Sequence, residues 1–350
     1  MGRARIAVIG AGLIGRKHIE VLRGGRGGCD LAAVCDPAPG AAAEAQQLGY
    51  SIYTTVEELL EQAKPDGAVV AVPNQMHVAS GLACIERGVP ILVEKPIADS
   101  VAEALRLVEA GERAGVPILV GHHRRHNPIM RKAVEIVRGG ELGTLVAVNV
   151  VWMCRKPEPY FDVAWRRQVG GGPVLINAIH DIDCLRMLCG DVATVQAAAG
   201  NAVRRFPVED TAAAVLRFDN GMIGTLIVSD TAATPWAWET TSRENPFFPA
   251  EPQNCILIAG TRGSLTVPAL ELRWYEGQQD WGLPLTSRRV PFVPADPYEE
   301  QMRHFAAVIA GAEAPVLDGR NGAMTLATTL AISKAARTKS AVRVAQMFDG

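Results

Sequence analysis

Over the first 120 residues, short continuous apolar runs alternate with stretches whose apolar positions fall three and four apart. The runs predict strands near 5–9, 31–35, 67–72, 90–93 and 117–120, and the wider spacing predicts helices near 13–23, 40–48, 55–62, 76–87 and 99–114. Strands separated by helices imply a parallel, doubly wound sheet. Turn chemistry agrees: Thr54 or Thr55 ahead of Glu57 and Glu58 starts a helix, Pro65-Asp66-Gly67 breaks it, and Gly88 ends the next. After a helix near 128–138 the runs lengthen and alternate, predicting strands at 144–153, 194–202, 212–218, 222–229, 255–259 and 264–267, with Asn220-Gly221 as a type I′ hairpin turn. Helices near 297–310 and 321–337 follow. The expected fold is α/β plus α+β: a domain over 1–122, then a domain over 123–350 with a large open, mainly antiparallel sheet, helices on one face, and last helices packing back on the first domain.

The first predicted strand runs directly into Gly10-Ala11-Gly12-Leu13-Ile14-Gly15 and a helix. This is the glycine turn of a dinucleotide-binding (Rossmann) domain in its proper context. Gly10 permits the tight turn, Gly12 lets backbone approach a pyrophosphate, and Gly15 lets the helix pack on the strand, while the helix N-terminus offers unpaired N–H groups. The second strand ends in Asp36, where an acid accepts hydrogen bonds from the adenosine ribose hydroxyls. A carboxylate there opposes the 2′-phosphate of NADP, and no arginine follows in Pro37-Ala38-Pro39-Gly40, so NAD is favoured over NADP.

Composition narrows the class further. The chain has 350 residues, 48% hydrophobic and 21% charged, with a net charge of −2, which suits an ordinary globular protein and gives no reason to expect nucleic acid. The seven cysteines show neither CxxC nor zinc-ligand spacing, so packed, reduced thiols and a cytoplasmic location are expected. The first strand begins by residue 5, leaving no room for a signal peptide, and no apolar stretch reaches the ~20 residues of a membrane span.

Two segments carry candidate chemistry. Glu94-Lys95-Pro96 follows a predicted strand at the carboxyl edge of the sheet, where open α/β folds bind ligands. Farther on, Gly170-Gly171-Gly172-Pro173 precedes a predicted helix on which Asn177, His180 and Asp183 share a face. A histidine with an acid three residues on reads as a metal half-site, a general base, or a packed histidine. No neighbouring segment offers convincing further ligands, so no metal is expected.

The chain resembles the Gfo/Idh/MocA family of oxidoreductases, through the glycine turn, Val72-Pro73-Asn74-Gln75-Met76-His77, Glu94-Lys95-Pro96, Arg124-Arg125, Trp165-Arg166, the glycine-rich turn and His180-Asp181-Ile182-Asp183, in family order. The resemblance implies pyridine-nucleotide-dependent hydride transfer at a carbinol of a sugar, polyol or related compound, in a homodimer or homotetramer packed through the C-terminal sheet. By position it makes Lys95 and His180 the catalytic pair and puts Pro73, Asn74, His77 and Glu94 around the cofactor. The chemistry of the residues agrees: an imidazole suits the base, and an ammonium suits the stabiliser of an alkoxide. One departure stands out. Many members carry aspartate four residues before the histidine, where this chain has Ile176 with Asn177 beside it, and asparagine cannot accept a proton. Either His180 works with Asp183 or solvent, or Lys95 takes the proton. Arg124, Trp152, Arg155, Tyr160, Trp165 and Arg166 are candidate substrate residues, with aromatic walls for a ring and an arginine for a carboxylate, which keeps sugar acids and cyclic diols beside neutral polyols. A sugar–sugar oxidoreductase with tightly held cofactor and a non-catalytic nucleotide sensor are the alternative functions.

Overall fold

A computed structural model describes residues 2–349. The chain divides into two compact units: residues 1–126 with 295–326, and residues 127–294 with 327–350.

The sheet of the first unit has six strands in the order β3-β2-β1-β4-β5-β6, all parallel, from β1 (Ala4–Ile9), β2 (Cys29–Cys35), β3 (Ile52–Tyr53), β4 (Gly67–Val70), β5 (Ile91–Glu94) and β6 (Ile118–Gly121). Every residue of β4, β5 and β6 is buried, which explains why these segments read as continuous apolar runs: a parallel sheet is covered on both faces. The connecting helices are α1 (Leu13–Arg23), α2 (Pro39–Leu48), α3 (Val56–Ala63), α4 (His77–Ile85) and α5 (Val101–Ala114). Thr55 and Ser100 cap α3 and α5 by accepting from the backbone N–H groups of Glu58 and Glu103. The two-residue β3 was not expected, since two residues carry no periodicity; Val34 and Cys35 of β2 recruit it. The late helix α9 (Pro297–Ile309), capped by Asp296, sends Met302 and Phe305 into the core cluster that holds Ile6, Val8, Val34 and Leu92.

In the second unit, nine strands run in the order β14-β13-β12-β11-β7-β10-β9-β8-β15. They are β7 (Leu145–Met153), β8 (Val192–Gly200), β9 (Thr211–Phe218), β10 (Ile223–Ser229), β11 (Ile256–Gly260), β12 (Gly263–Val267), β13 (Glu271–Trp274), β14 (Thr286–Arg289) and β15 (Val342–Arg343). All neighbours are antiparallel except β7 and β10, which are parallel, so the sheet is mixed though mainly antiparallel. Alternate residues of β9 are buried and exposed, as expected for a sheet with one face covered. The edge strands β14 and β15, and β13 next to β14, escaped the apolar pattern. Helices α6 (Pro128–Arg138), α7 (Ile179–Cys189) and the short α8 (Trp238–Thr241) belong to this unit, and α10 (Gly319–Thr338) runs from the first unit into it. The segment expected as one helix from residue 174 is instead a π-helical turn over Val174–Ala178 followed by α7.

Candidate active site

In the first unit the three motif glycines have separate physical roles. Gly10 has φ +99°, and a Cβ there would lie 2.6 Å from the Ala71 oxygen; at Gly15 a Cβ would lie 1.9 Å from the Gly10 oxygen. Both positions exclude a side chain because protein backbone occupies the space. Gly12, at the N-terminus of α1, is different: a Cβ would meet no protein atom within 4 Å. The space it leaves clear therefore suits the approach of a pyrophosphate, and the residues fit a dinucleotide. Leu13 beside it is largely exposed, Ile14 packs against the core cluster, and the Asp36 carboxylate is held by two backbone donors, Ala11 N–H at 2.7 Å and Ala38 N–H at 2.8 Å. That grip orients the acid beside the glycine turn and leaves lone pairs for hydroxyl groups.

At the carboxyl ends of β4 and β5 two loops meet. His77, the first residue of α4, is buried, with Nδ1 2.8 Å from the Pro96 oxygen and Nε2 2.8 Å from the Val72 oxygen. Its ring is thus spent on the backbone of both loops, which seats Pro73 and Asn74 on one side and the cis Lys95–Pro96 bond on the other. Burial is the largest influence on this imidazole and holds its pKa below the ordinary value. Glu94 is buried as well, and its Oε1 accepts from His18 Nε2 at 2.8 Å. Burial alone would push its carboxyl up, but the His18 hydrogen bond and the charges of His18, Lys95 and His123 outweigh it and hold the pKa below the usual carboxylate value. Arg124, in the turn after β6, is buried in this unit.

In the second unit His180 and Asp183 lie buried on α7, one turn apart. Asn177 sits in the π turn before them, where its Oδ1 accepts from Lys156 Nζ at 2.7 Å. Lys156 is nearly buried, 4.7 Å from the Tyr160 ring centroid, 5.7 Å from that of Trp152, and 3.7 Å from the Asp230 carboxylate. Asp230 is shared with Arg204, whose Nε donates to it at 3.1 Å. Burial raises the Asp230 pKa, the Lys156 and Arg204 charges oppose it, and Asp210 adds to the rise. The basic pair Arg155-Lys156 divides here: Arg155 is exposed beside Glu158, at 3.8 Å, and Lys156 turns inward to Asn177.

The other aromatic candidates are placed as follows. Trp152 is buried and its Nε1 donates to Glu239 at 2.7 Å, so its indole N–H is committed within the protein. Arg166 stacks 4.0 Å over the Tyr160 ring and donates to the Tyr160 backbone oxygen, whereas Trp165 is half exposed. Burial also raises the Tyr160 pKa, with Arg166 opposing it. Among the described residues no group of three or more His, Cys, Asp or Glu side chains is placed to hold a metal ion. No helix among them is long and apolar enough to cross a membrane.

Two family models match the chain: one described as oxidoreductase family, NAD-binding Rossmann fold, over residues 4–122, and one described as GFO/IDH/MocA C-terminal domain, over residues 130–266. The chain is 28% identical over 347 residues to 1,5-anhydro-D-fructose reductase of Ensifer adhaerens, covering 97% of this chain and 98% of that enzyme. It is 33% identical over 233 residues to inositol 2-dehydrogenase 2 of Saccharopolyspora erythraea, covering 62% and 64% respectively. Among solved structures it is similar to the WlbA dehydrogenase of Bordetella pertussis in complex with NADH and UDP-GlcNAcA, with a TM-score of 0.77, 26% identity, and coverage of 97% of this chain and 98% of that one.

Proposed function

This chain belongs to the Gfo/Idh/MocA family of NAD-binding oxidoreductases, and from that premise we propose that it moves a hydride between nicotinamide and a carbinol or carbonyl carbon of a sugar, polyol, sugar acid or cyclic diol. The relatives named for an anhydrosugar and an inositol support that substrate range. Asp36, already oriented by two backbone donors, favours NAD over NADP.

Bound nicotinamide supplies the hydride acceptor. The protein must handle the proton and the charge. The Lys95 ammonium stabilises the substrate oxygen as it becomes an alkoxide, and His180 takes the hydroxyl proton, returning it in the reverse direction. Asn177 donates from its amide to a substrate oxygen, because its own carbonyl is committed to Lys156. Asp183 is the acid we assign behind the imidazole. Arg124, Tyr160, Trp165 and Arg166 are proposed to contact substrate, with Trp152 as a wall. The observation that carries this reading is Lys95 at the carboxyl end of a parallel strand, directly after a buried, ionised Glu94, in the same unit as a glycine turn whose central glycine faces open space.

The test begins with a side-by-side fluorescence titration with NADH and NADPH, after a check for nucleotide that survives purification. An NAD-coupled screen of polyols, sugar acids and dihydrodiols follows. Lys95→Ala is expected to abolish turnover with NADH affinity largely kept; unchanged turnover would overturn the assignment. We also propose a homo-oligomer packed through the nine-stranded sheet, supported by half-exposed Val146, Val215, Ile223 and Leu257 on adjacent strands; sedimentation of a single monomeric species would exclude it. A reducing, cytoplasmic setting suits the mostly buried cysteine thiols, among which burial pushes Cys29 up to about 11 and Cys84 and Cys189 up to about 12.

A further inference from the structure

We infer that the substrate carries a carboxylate and that Arg166 selects for it, its guanidinium held in place on the Tyr160 ring. The inference rests on the reading above, in which this face of the second unit takes the substrate. It narrows the range of sugars, polyols, sugar acids and cyclic diols to the acids.

Arg166 lies in a short 3₁₀ turn, Ala164–Arg167, that follows another over Glu158–Asp162. Its backbone is pressed against the glycine-rich turn: a Cβ on Gly171 would stand 2.8 Å from the Arg166 Cα and 2.5 Å from the Trp165 oxygen, so the two segments touch only because the residue is glycine. The π turn that carries Asn177 begins at Val174, just beyond. The guanidinium lies 4.0 Å from the centroid of the Tyr160 ring and donates from Nη1 to the Tyr160 backbone oxygen at 2.8 Å. The Trp165 ring centroid is 5.6 Å away. The same Tyr160 ring lies 4.7 Å from Lys156 Nζ, which in turn bonds Asn177. One aromatic ring therefore connects the guanidinium to the amide assigned to the substrate.

What sets Arg166 apart is its lack of an acid. Lys156 has Asp230 at 3.7 Å, Arg204 has Asp230 at 3.1 Å and Glu158 at 3.2 Å, and Arg155 has Glu158 at 3.8 Å. Among the described residues no carboxylate pairs with Arg166, and the Tyr160 backbone oxygen is the one acceptor it reaches. Arg167, the other cation of the turn, is exposed. A guanidinium is always charged and presents five N–H donors in a planar fork, so most of the donors of Arg166 and all of its charge remain for a ligand. Stacking on Tyr160 preorganises that fork and lowers the entropy lost on binding. The Tyr160 hydroxyl also has no hydrogen-bond partner among the described residues, which adds a second polar group for the ligand. A carboxylate matches the fork with two oxygens and one charge. A phosphate, at roughly −1.5 to −2, would leave part of its charge unmet by a single guanidinium.

The experiment measures NAD-coupled turnover of matched pairs by the full-length protein: glucuronate with glucose, galacturonate with galactose, gluconate with glucitol, and glucose 6-phosphate as the phosphate arm. Wild type is compared with Arg166→Gln and Arg166→Lys. In the wild type the acid of at least one pair is expected to exceed its neutral partner in kcat/KM by at least roughly tenfold. Arg166→Gln should bring that ratio to within about threefold, chiefly through the KM of the acid, and Arg166→Lys, which keeps the charge without the fork, should lie between. Each ratio is taken within one variant, so a poorly folded fraction cancels from it. Where no pair turns over, the same ratios are read as dissociation constants from calorimetry on the NADH-saturated protein. Equal treatment of acid and neutral partner by the wild type, an unchanged ratio in Arg166→Gln, or a preference for glucose 6-phosphate over every acid would overturn the inference. Any of these with Lys95→Ala inactive defeats the carboxylate assignment alone, whereas active Lys95→Ala defeats the reading on which it rests.

Discussion

Lys156 Nζ stands 2.7 Å from Asn177 Oδ1, and this contact fixes which end of the asparagine amide is available for chemistry. With the carbonyl turned to the ammonium, the amide can present only its N–H donors elsewhere. Beside Ile176, where the family resemblance leads one to expect a proton-accepting aspartate, the side chain is therefore a donor in this chain.

Lys156→Met is expected to release that amide and leave Asp230 paired with Arg204 alone. Hydrogen bonds to charged groups contribute about 1.5–3 kcal/mol, so kcat/KM should fall roughly 10- to 100-fold. Steady-state kinetics on the substrate found by the NAD-coupled screen checks this, and a change under twofold would contradict it.

The motif glycines should separate stability from binding. Gly15→Ala forces a Cβ to 1.9 Å from the Gly10 oxygen, so the helix must move, and thermal unfolding should reveal a large loss of stability. Gly12→Ala meets no protein atom within 4 Å and should melt like wild type while NADH affinity drops at least about tenfold. Calorimetry beside NADH titration distinguishes the two.

Asp36→Ala removes the acceptor for both Ala11 and Ala38 N–H groups. A stability loss of about 1–3 kcal/mol is expected from those donors, together with a fall in the NADH over NADPH affinity ratio. Denaturant unfolding and paired titrations measure the two effects; an unchanged ratio would mean that the acid does not discriminate between the nucleotides.

Glu209 gives a pH signature. Burial is the main influence on its carboxyl and raises the pKa, with bonds from its own backbone and the Val174 backbone opposing and Asp230 adding to the rise. A carboxyl whose folded pKa lies above its unfolded value contributes stability below the unfolded value, and that contribution is lost as pH rises through the folded one. Glu209→Gln should therefore gain stability relative to wild type as pH rises from about 4.5, the ordinary glutamate value, toward neutrality. Parallel unfolding curves across that range would refute the assignment.

The parallel sheet was legible because its strands are buried on both faces and read as unbroken apolar runs, and because the glycine turn has one meaning between a strand and a helix. What escaped lacked a local signal. β3 is two residues long, β13 and β14 are four-residue strands rich in charged and polar residues with β14 at the sheet edge, and the π turn at Val174–Ala178 differs from an α-helix in hydrogen bonding, not in composition. Among the candidate residues, Glu94, Lys95 and His180 stood out by motif. Lys156 did not, since a basic pair gives no indication of which member turns inward. His18 stood at helical spacing beside buried Ile19 and Leu22, where a polar residue on an apolar face asks for a partner, but that partner lies 76 residues away.

The placement of Met302 and Phe305 among the core residues of the first unit has a temporal meaning on the ribosome. The nucleotide-binding unit is not written contiguously: residues 295–326 complete it, and residues 127–294 must be synthesised in between. At ~5–20 residues per second that interval lasts roughly 10–30 s. Throughout it the nascent sheet waits with one apolar patch uncovered, so a chain truncated before α9 lacks more than its tail.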